Sequence, residues 1–258
     1  MFHSNMSEEK ITSARVNVKN FFFSQKLDRI KEHFHNIYTV CEKRFEKGCG
    51  SYLFDGKNYE YSVDYFDKQE LLFEKVKNKK DVLEVGTYMG HSMLIMLEAN
   101  PNLNITTIDI DEQFAKPSVR YLQKQFPKSN ITFINSDSLK AMKSLNKKFD
   151  FFHIDGSHKN KIITKEFYQC KKLKSTESLE IIFDDDIICK TLISNIKSTY
   201  SLEESISKGE GWYTNLYIKV NFPKSKYKRF KLDFIFFLKN LLKHLNLKFN
   251  KLRNLKKI

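Results

Sequence analysis

Five short apolar runs, each followed by a stretch with helical spacing of apolar residues, constrain the fold of this chain more than any other feature. The runs are residues 81–85, 105–110, 131–135, 149–155 and 179–183, and the helical stretches begin near residues 92, 118, 138, 161 and 189. Parallel strands need a crossover connection, which is usually a helix. The alternation therefore predicts an α/β, doubly wound, mostly parallel sheet with helices on both faces.

The pattern changes after the fifth unit. Residues 201–207 and 212–220 have the composition of strands and flank a Lys-Gly-Glu-Gly turn at 208–211, which predicts an antiparallel hairpin. With the five parallel strands, this hairpin gives a Rossmann-like seven-stranded sheet. We predict three regions along the chain: an N-terminal helical region that caps the substrate (1–65), the main domain (66–222) and a basic tail (223–258).

Positive charge is concentrated in the tail. Residues 224–258 contain twelve Lys or Arg and one acid, Asp233, and so carry +11 of the formal net charge of +14. A basic amphipathic helix suits an anionic membrane surface; packing on the body of the protein, or on a second subunit in a homodimer, is the alternative. Nucleic acid ranks third because no stacking platform is present. The predicted apolar face consists of Phe234, Leu238, Leu241, Leu245, Phe249, Leu252 and Leu255.

Cysteine usage and the N-terminal sequence indicate a compartment. Four cysteines without C-x-x-C spacing favour reduced thiols over a disulfide scaffold or a zinc site. Residues 1–20 contain no apolar segment typical of a signal peptide. The apolar run at 234–238 is far shorter than a membrane span. We therefore expect a cytoplasmic protein, with the tail able to hold it at the inner face of a membrane.

The segment VLEVGTYMGHS, residues 82–92, places Gly86 and Gly90 between the first strand and the first helix. Glycine is unfavourable unless the backbone turns sharply or approaches something closely. Tyr88 stands where a dinucleotide-binding G-x-G-x-x-G loop has its second glycine, and the lysine of a P-loop is absent. Phosphate binding is therefore disfavoured, which leaves a bare structural turn or the close approach of a different ligand.

This segment resembles the E/D-x-G-x-x-x-G motif of the class I S-adenosylmethionine-dependent methyltransferases. Its G-x-x-x-G-x-S form is most similar to the small-molecule O-methyltransferases of the catechol and antibiotic-sugar types, and the resemblance extends over about residues 65–220. It implies that Glu84 orients the ammonium group of the cofactor and Ser92 its carboxylate. The loop residues implied to line the methionine part are Gly86, Thr87, Tyr88 and Gly90.

The same resemblance implies contacts to the nucleoside part of the cofactor. Asp109, which ends the second strand, would accept hydrogen bonds from the ribose hydroxyls, with Asp111 as the fallback. Asp137 would meet the adenine amino group, with Ser138 beside it. The alternative for Asp137 is an N-cap of the following helix.

Acidic residues after the fourth and fifth strands indicate the chemistry. By resemblance to the metal-dependent O-methyltransferases, Asp155, Asp184 and Asp185 would hold Mg²⁺, which lowers the pKa of an acceptor hydroxyl. Asp155 would also adjoin the cofactor and take part in catalysis. His158 stands where the catechol-type enzymes have a lysine base, and an imidazole can accept the hydroxyl proton near neutral pH. A contact to the substrate, or a structural or merely exposed histidine, is the alternative. Metal-free relatives with acids in these places are the alternative.

The sequence therefore favours an enzyme that O-methylates a small molecule or sugar, including a lipid-linked or cell-surface glycan precursor if the tail binds membrane. A non-catalytic or regulatory cofactor-binding module at a membrane surface is one alternative. A nucleic-acid methyltransferase is another. In place of the Asn/Asp-Pro-Pro-aromatic tetrapeptide of that group, this chain has Asp-Gly-Ser-His at 155–158.

Overall fold

A computed structural model describes residues 21–184, 186–210 and 213–255. Its centre is a seven-stranded sheet in the order β3-β2-β1-β4-β5-β7-β6. Strands β1 to β5 run parallel, and β7 pairs antiparallel with both β5 and β6. The predicted fold class is confirmed. The strands are β1 Asp81–Val85, β2 Asn104–Asp109, β3 Asn130–Asn135, β4 Phe151–Ile154, β5 Ser178–Asp184, β6 Ser201–Glu210 and β7 Tyr213–Asn221.

The C-terminal hairpin is longer than predicted. Lys208 pairs with Asn215 and Glu210 with Tyr213, so the first three residues of the predicted turn belong to the strand ladder. The turn prediction was wrong for those residues because cross-strand pairing continues through Gly209. Residues 211 and 212 lie outside the described part of the chain.

Helices cover both faces of the sheet. The first crossover helix after β2 begins at Glu112, earlier than the predicted 118, because Asp111 accepts a hydrogen bond from the backbone of Gln113 and caps it. The helices are α1 Phe21–Val40, α2 Phe66–Val76, α3 His91–Ala99, α4 Glu112–Gln125, α5 Ser138–Ser144, α6 Asn160–Leu173, α7 Asp186–Lys197 and α8 Lys226–Leu255, with a 3-10 turn at Val63–Tyr65.

The hydrophobic core has one cluster on each face of the sheet. On one face, Phe34 of α1 and Phe54 pack in the same cluster as Leu72 of α2 and Met93 of α3. The N-terminal region thus shares a core with the sheet, and the domain boundary at residue 65 stays a prediction. The other cluster joins the sheet to α5, α6 and α7.

The helix α8 packs one face against the body. Phe236 is fully buried and lies 5.3 Å, ring to ring, from Tyr200. The Tyr200 hydroxyl donates a 2.8 Å hydrogen bond to Asp233, and Asn240 bonds Asn195 at 2.9 Å. The packing alternative therefore accounts for this face. Within the described residues no helix is long and apolar enough to cross a bilayer. The side chains predicted at Leu245, Phe249, Leu252 and Leu255 lie outside those described.

Candidate active site

The strand order reverses between β1 and β4, and a cleft opens at the carboxyl ends of the strands there. Ligands of open α/β sheets bind at such a point. The cleft has a volume of about 690 Å³. One residue from the end of each parallel strand lines it: Gly86, Asp109, Asp137, Asp155 and Asp184. The loops after β1 to β5 form what we call the sheet wall of the cleft.

A second wall comes from the N-terminal region. It consists of residues 46–52 together with Lys68 of α2, and we call it the N-terminal wall. The backbone N–H of Glu46 donates to the Tyr88 hydroxyl at 2.9 Å, which ties this wall to the glycine loop. Residues 46–52 belong to the predicted cap region of residues 1–65, in which the sequence indicates no individual site residue.

The glycine loop requires glycine at its first position. Gly86 has a φ of +91°, and a Cβ placed there would lie 2.4 Å from the carbonyl oxygen of Asp155. The ends of β1 and β4 are therefore in backbone contact. Gly90, with a φ of +70°, forms the N-cap of α3, and Tyr88 between them has a φ of +44°. A tyrosine in the left-handed region is strained, so the loop is held tightly by its surroundings.

Glu84 lies beneath this loop, in the interior. It is fully buried, and its carboxylate accepts hydrogen bonds from Ser92 Oγ at 2.6 Å and Thr107 Oγ1 at 2.7 Å. His153 Nδ1 lies 3.3 Å from the same carboxylate. Glu84 thereby joins β1, β2, β4 and α3. The roles predicted for Glu84 and Ser92 toward a ligand stay predictions; the two residues bind each other here.

Asp109 organises the loop from the end of β2. Its Oδ2 accepts 2.8 Å hydrogen bonds from the backbone N–H groups of both Thr87 and Tyr88, and Oδ1 accepts from that of Asp111. A carboxylate has about four acceptor positions, so further donors can be accommodated. The fallback residue Asp111 acts as the N-cap of α4.

Asp137 and Ser138 lie at the end of β3. Asp137 caps α5 by accepting from the backbone of Lys140 at 2.9 Å, as the N-cap alternative predicts. Ser138 Oγ donates at 2.5 Å to Glu166, a buried residue that the sequence analysis missed. Within the described part of the chain, the second oxygen of Glu166 is buried without a hydrogen-bond partner. Burial raises the pKa of this carboxyl group. Glu166 lies on the apolar side of α6 together with Ile163 and Phe167, and this position in the sequence pattern indicates a buried carboxylate.

The β5 end of the cleft contains an ion pair that the sequence analysis also missed. Lys68 Nζ lies 2.8 Å from Asp184 Oδ1, and the two side chains are only 2% and 8% exposed. The ammonium also lies 4.4 Å from the centre of the Tyr52 ring, within range of a cation–π interaction. Lys68 lies on the buried side of α2 together with Leu71 and Leu72, and this position in the sequence pattern indicates a buried lysine.

Two buried histidines hold the N-terminal wall. The Tyr52 hydroxyl bonds His153 Nε2 at 2.7 Å and accepts from Asn215. His91 bonds Ser51 Oγ at 2.6 Å and the Tyr59 hydroxyl at 2.8 Å. Burial raises the pKa of Tyr52 well above its usual value, and the charges of nearby carboxylates add to this. Burial lowers the pKa of His91 to about 3. Both groups are therefore neutral near pH 7.

A known family matches the part of the chain that forms the sheet wall of the cleft. Residues 83–185 match the family model described as a methyltransferase domain. This part of the chain is therefore similar to a methyltransferase domain. The matched range begins in β1 and runs to the end of β5, so it includes the glycine loop and every acid of the sheet wall.

Similar proteins include named methyltransferases. A protein of Arabidopsis thaliana provisionally named caffeoyl-CoA O-methyltransferase is 38% identical over 85 residues, which is 31% of this chain and 37% of that one. Tapetum-specific methyltransferase 1 of the same plant is 30% identical over 125 residues, or 46% and 52% of the two chains. The chain thus spans about half or less of these relatives. The structure of the O-methyltransferase TomG from Streptomyces achromogenes with S-adenosylmethionine superposes with a TM-score of 0.56 at 14% identity, over 84% of this chain and 99% of that one.

The described residues do not favour a magnesium ion at Asp184, because the ammonium of Lys68 lies 2.8 Å from that carboxylate and would repel a second cation there. In the described part of the chain, no three His, Cys, Asp or Glu side chains are grouped to hold a metal. Asp185, the third predicted ligand, lies outside that part. Asp155 and His158 line the same cleft, and their catalytic roles stay predictions.

Proposed function

We propose that this protein is an S-adenosylmethionine-dependent O-methyltransferase that acts on a hydroxyl group of a small molecule. The proposal rests on one observation. At the strand-order reversal, the cleft is lined by Gly86, which is in backbone contact with Asp155, and by three further acids at positions 109, 137 and 184. The methyltransferase-domain match over the same residues and the O-methyltransferase names of the relatives support it.

The residues of the cleft fit the groups of S-adenosylmethionine. Its volume of about 690 Å³ lies in the range of small-molecule sites. Asp109 suits a ribose diol, because a carboxylate offers two acceptor oxygens and no donor. The N-terminus of α3 favours a carboxylate. At the β3 end, the second oxygen of Glu166 and the exposed side of Asp137 offer acceptors to an amino group.

When bound, S-adenosylmethionine supplies an electrophilic methyl group on a sulfonium. The chain holds donor and acceptor in line, which is the main catalytic contribution to such a displacement. His158, at the rim of the cleft, would accept the proton that the acceptor hydroxyl loses when its oxygen is methylated. Asp155 lies between the cofactor loop and this imidazole in sequence and lines the same cleft.

We place the acceptor against the N-terminal wall. This wall faces the acids of β4 and β5 and contributes Tyr52 and Lys68, so its lining is partly aromatic and partly charged. A phenol or a sugar suits such a lining. A glycan precursor carried on a lipid follows only if the tail binds membrane. No described contact favours the regulatory-module or nucleic-acid alternatives.

Calorimetric titration with S-adenosylhomocysteine tests the cofactor site. We expect wild-type protein to bind and Asp109→Ala to bind about tenfold or more weakly, because a charge-assisted acceptor is lost. Asp111→Ala is the matched control, since its carboxylate caps α4. Absence of binding by folded wild-type protein, or equal affinities of the two variants, contradicts the proposed site.

A screen of phenols and sugars with labelled S-adenosylmethionine then tests the acceptor class. We expect methyl incorporation at a hydroxyl. His158→Gln should reduce the rate about a hundredfold, because the proton acceptor is lost. Incorporation at nitrogen or carbon only, or unchanged rates in the variant, contradicts the chemistry proposed.

A further inference from the structure

The ion pair of Lys68 with Asp184 is unusual in its burial. Taking a lysine and an aspartate out of water is unfavourable, and replacing such pairs with apolar residues is often neutral or stabilising. Both side chains are nearly inaccessible, and both line the cleft. Asp184 ends β5, next to β4, so the ammonium lies at the same edge of the sheet as Asp155.

A second lysine on the same helix provides a comparison. Lys75 lies two turns after Lys68 on α2, pairs with Glu204 at 2.6 Å and lies 4.1 Å from the centre of the Tyr217 ring. It has the same combination of ion pair and cation–π contact. Lys75 is 20% exposed, Glu204 39%, and neither lines the cleft. The two lysines differ chiefly in burial and in access to the site.

We propose that the ammonium of Lys68 is the resident cation of the acceptor end, so that methyl transfer proceeds without a divalent metal at Asp184. This rests on the proposed O-methyltransferase function. A fixed positive charge stabilises the negative charge that develops on an acceptor oxygen, which is also the service of a metal ion. A divalent ion bound at the same carboxylate would lie within a few Å of the ammonium and would be repelled.

The proton and the electrons are balanced as in the proposed reaction. The acceptor oxygen gains the methyl carbon, sulfur keeps the pair of the broken bond, and the hydroxyl proton goes to His158. Lys68 keeps its proton throughout, and its positive charge stabilises the negative charge that develops on the acceptor oxygen. No oxidant, reductant or further co-reactant is required.

Manganese binding, followed by electron paramagnetic resonance, gives a readout that needs no acceptor. We expect wild-type protein to bind no Mn²⁺ and to bind S-adenosylhomocysteine equally well with and without a chelator. Lys68→Met removes the charge but keeps an unbranched side chain only one atom shorter, and we expect it to bind Mn²⁺. Lys75→Met is the matched control and should behave as wild type. Wild-type Mn²⁺ binding that Asp184→Asn abolishes would overturn the proposal.

Turnover gives the second readout. With an acceptor from the screen, we expect wild-type activity to be unchanged by chelator, and Lys68→Met to lose about a hundredfold relative to Lys75→Met. Lys68→Arg keeps the charge and serves if Lys68→Met does not fold. Loss of wild-type activity in chelator, or equal activity of the two methionine variants, contradicts the role of Lys68. Absence of S-adenosylhomocysteine binding would instead reject the underlying function.

A second inference rests on a separate observation, the outward face of α8. Large apolar side chains recur along it at spacings of three and four residues, which places them on one side of the helix. Their exposed fractions range from 41% to 76%, whereas Phe236 on the opposite side is fully buried against the body. The exposed residues are Tyr227, Phe230, Phe234, Phe237, Leu241 and Leu242. We call them the apolar stripe.

The charges around the stripe indicate its partner. Lys226, Lys228 and Lys231 are exposed beside it. The only acid of this region, Asp233, is bound to Lys171 and Tyr200 of the body and does not offset them. We infer that α8 lies on an anionic lipid surface, with the stripe in the acyl boundary and the lysines at the headgroups.

Co-sedimentation with lipid vesicles tests this inference. We expect the full chain to bind vesicles of phosphatidylcholine with phosphatidylserine more tightly than vesicles of phosphatidylcholine alone. The double variant Phe230→Ser, Phe234→Ser should bind about tenfold or more weakly, through lost apolar burial. Val63→Ser, at an exposed position elsewhere, is the control. No vesicle binding, or a concentration-dependent dimer that the double variant abolishes, overturns the inference and, in the second case, indicates a second copy of the chain on this face.

Discussion

The two walls of the cleft are built by different physics. The sheet wall is formed largely by backbone: Gly86 touches the carbonyl of Asp155, and Asp109 accepts from two consecutive backbone N–H groups. The N-terminal wall is fixed by side chains, through bonds of Tyr52 to His153 and of Ser51 to His91, together with the buried lysine. Apolar packing supports both walls.

Because of this difference, the sheet wall depends on the fold, whereas the N-terminal wall depends on individual side chains. Backbone contacts are set by the strand order, so the sheet wall follows from the fold and has little freedom to vary. The polar contacts of the N-terminal wall depend on single side chains and on their protonation. We therefore expect a substitution at the backbone contact of Gly86 to affect folding as a whole. Changes of pH should act chiefly on the N-terminal wall.

The largest effect is expected when a glycine-to-alanine substitution in the sheet wall is compared with one in the N-terminal wall. Gly86→Ala would place a methyl group 2.4 Å from a carbonyl oxygen at a φ of +91°. We expect about 4 kcal/mol of lost stability from the clash and the strain. Gly48 of the N-terminal wall has a similar φ of +88° and open space around it. Gly48→Ala should lose only about 1 kcal/mol. Urea denaturation measures both, and equal losses would contradict the backbone-contact description.

Acid should loosen the N-terminal wall through His91. Its pKa is about 3 in the folded chain and near 6.5 when exposed, so the unfolded chain binds a proton first as pH falls. Stability is therefore lost below about pH 6.5, by about 1.4 kcal/mol per pH unit and about 3 kcal/mol by about pH 4. Denaturation at several pH values measures this slope. His91→Gln should flatten it, whereas His35→Gln, at an exposed position, should not. A wild-type slope unchanged in His91→Gln would assign the acid sensitivity elsewhere.

The hydroxyl of Tyr52 should have a smaller effect. Tyr52→Phe leaves His153 and Asn215 without this partner in the interior, which we expect to lower stability by about 2 kcal/mol. Tyr227→Phe is the control, since that ring is 76% exposed. Thermal unfolding measures both. If Tyr52→Phe also weakens S-adenosylhomocysteine binding tenfold, the two walls are less independent than described.

The sheet wall could be predicted from the sequence because its residues follow from periodicity. Each predicted strand lies within a few residues of the observed one, and acids at the ends of parallel strands must meet at one edge. Gly86, Asp109 and Asp155 are therefore together as predicted. The N-cap alternative for Asp137 follows equally from its place before a helix.

The N-terminal wall could not be predicted in the same way. Lys68 reaches Asp184 across more than a hundred residues of sequence, and no periodic pattern links them. Tyr52 lies in an irregular segment whose path is set by packing on the finished sheet. Asp184 shows the consequence. Acids that the sequence leaves unpaired acquire a partner from a segment whose position only the tertiary structure determines.

The smallest effect is expected from Glu166 of α6, a titrating group that lines the cleft beside Ser138 of the sheet wall. Its carboxyl group is buried beside Ser138, and burial raises its pKa, so the folded chain keeps the proton to higher pH than the unfolded chain. Below the unfolded pKa both states are protonated and nothing is lost. As pH rises past that value the unfolded chain releases its proton first, and the free energy of unfolding falls. Glu166→Gln keeps an acceptor for Ser138 but cannot titrate.

We therefore expect the stability of Glu166→Gln relative to wild type to improve between acid and neutral pH. Glu112→Gln, on the exposed side of α4, is the control and should show no such trend. Denaturation of the three proteins across that range measures the difference. S-adenosylhomocysteine should suppress it if an amino group of the ligand binds the unpartnered oxygen, because that contact favours the ionised form. If the ligand leaves the pH trend unchanged, Glu166 does not bind the ligand. The sheet side of the cleft would then consist of backbone contacts and strand ends alone.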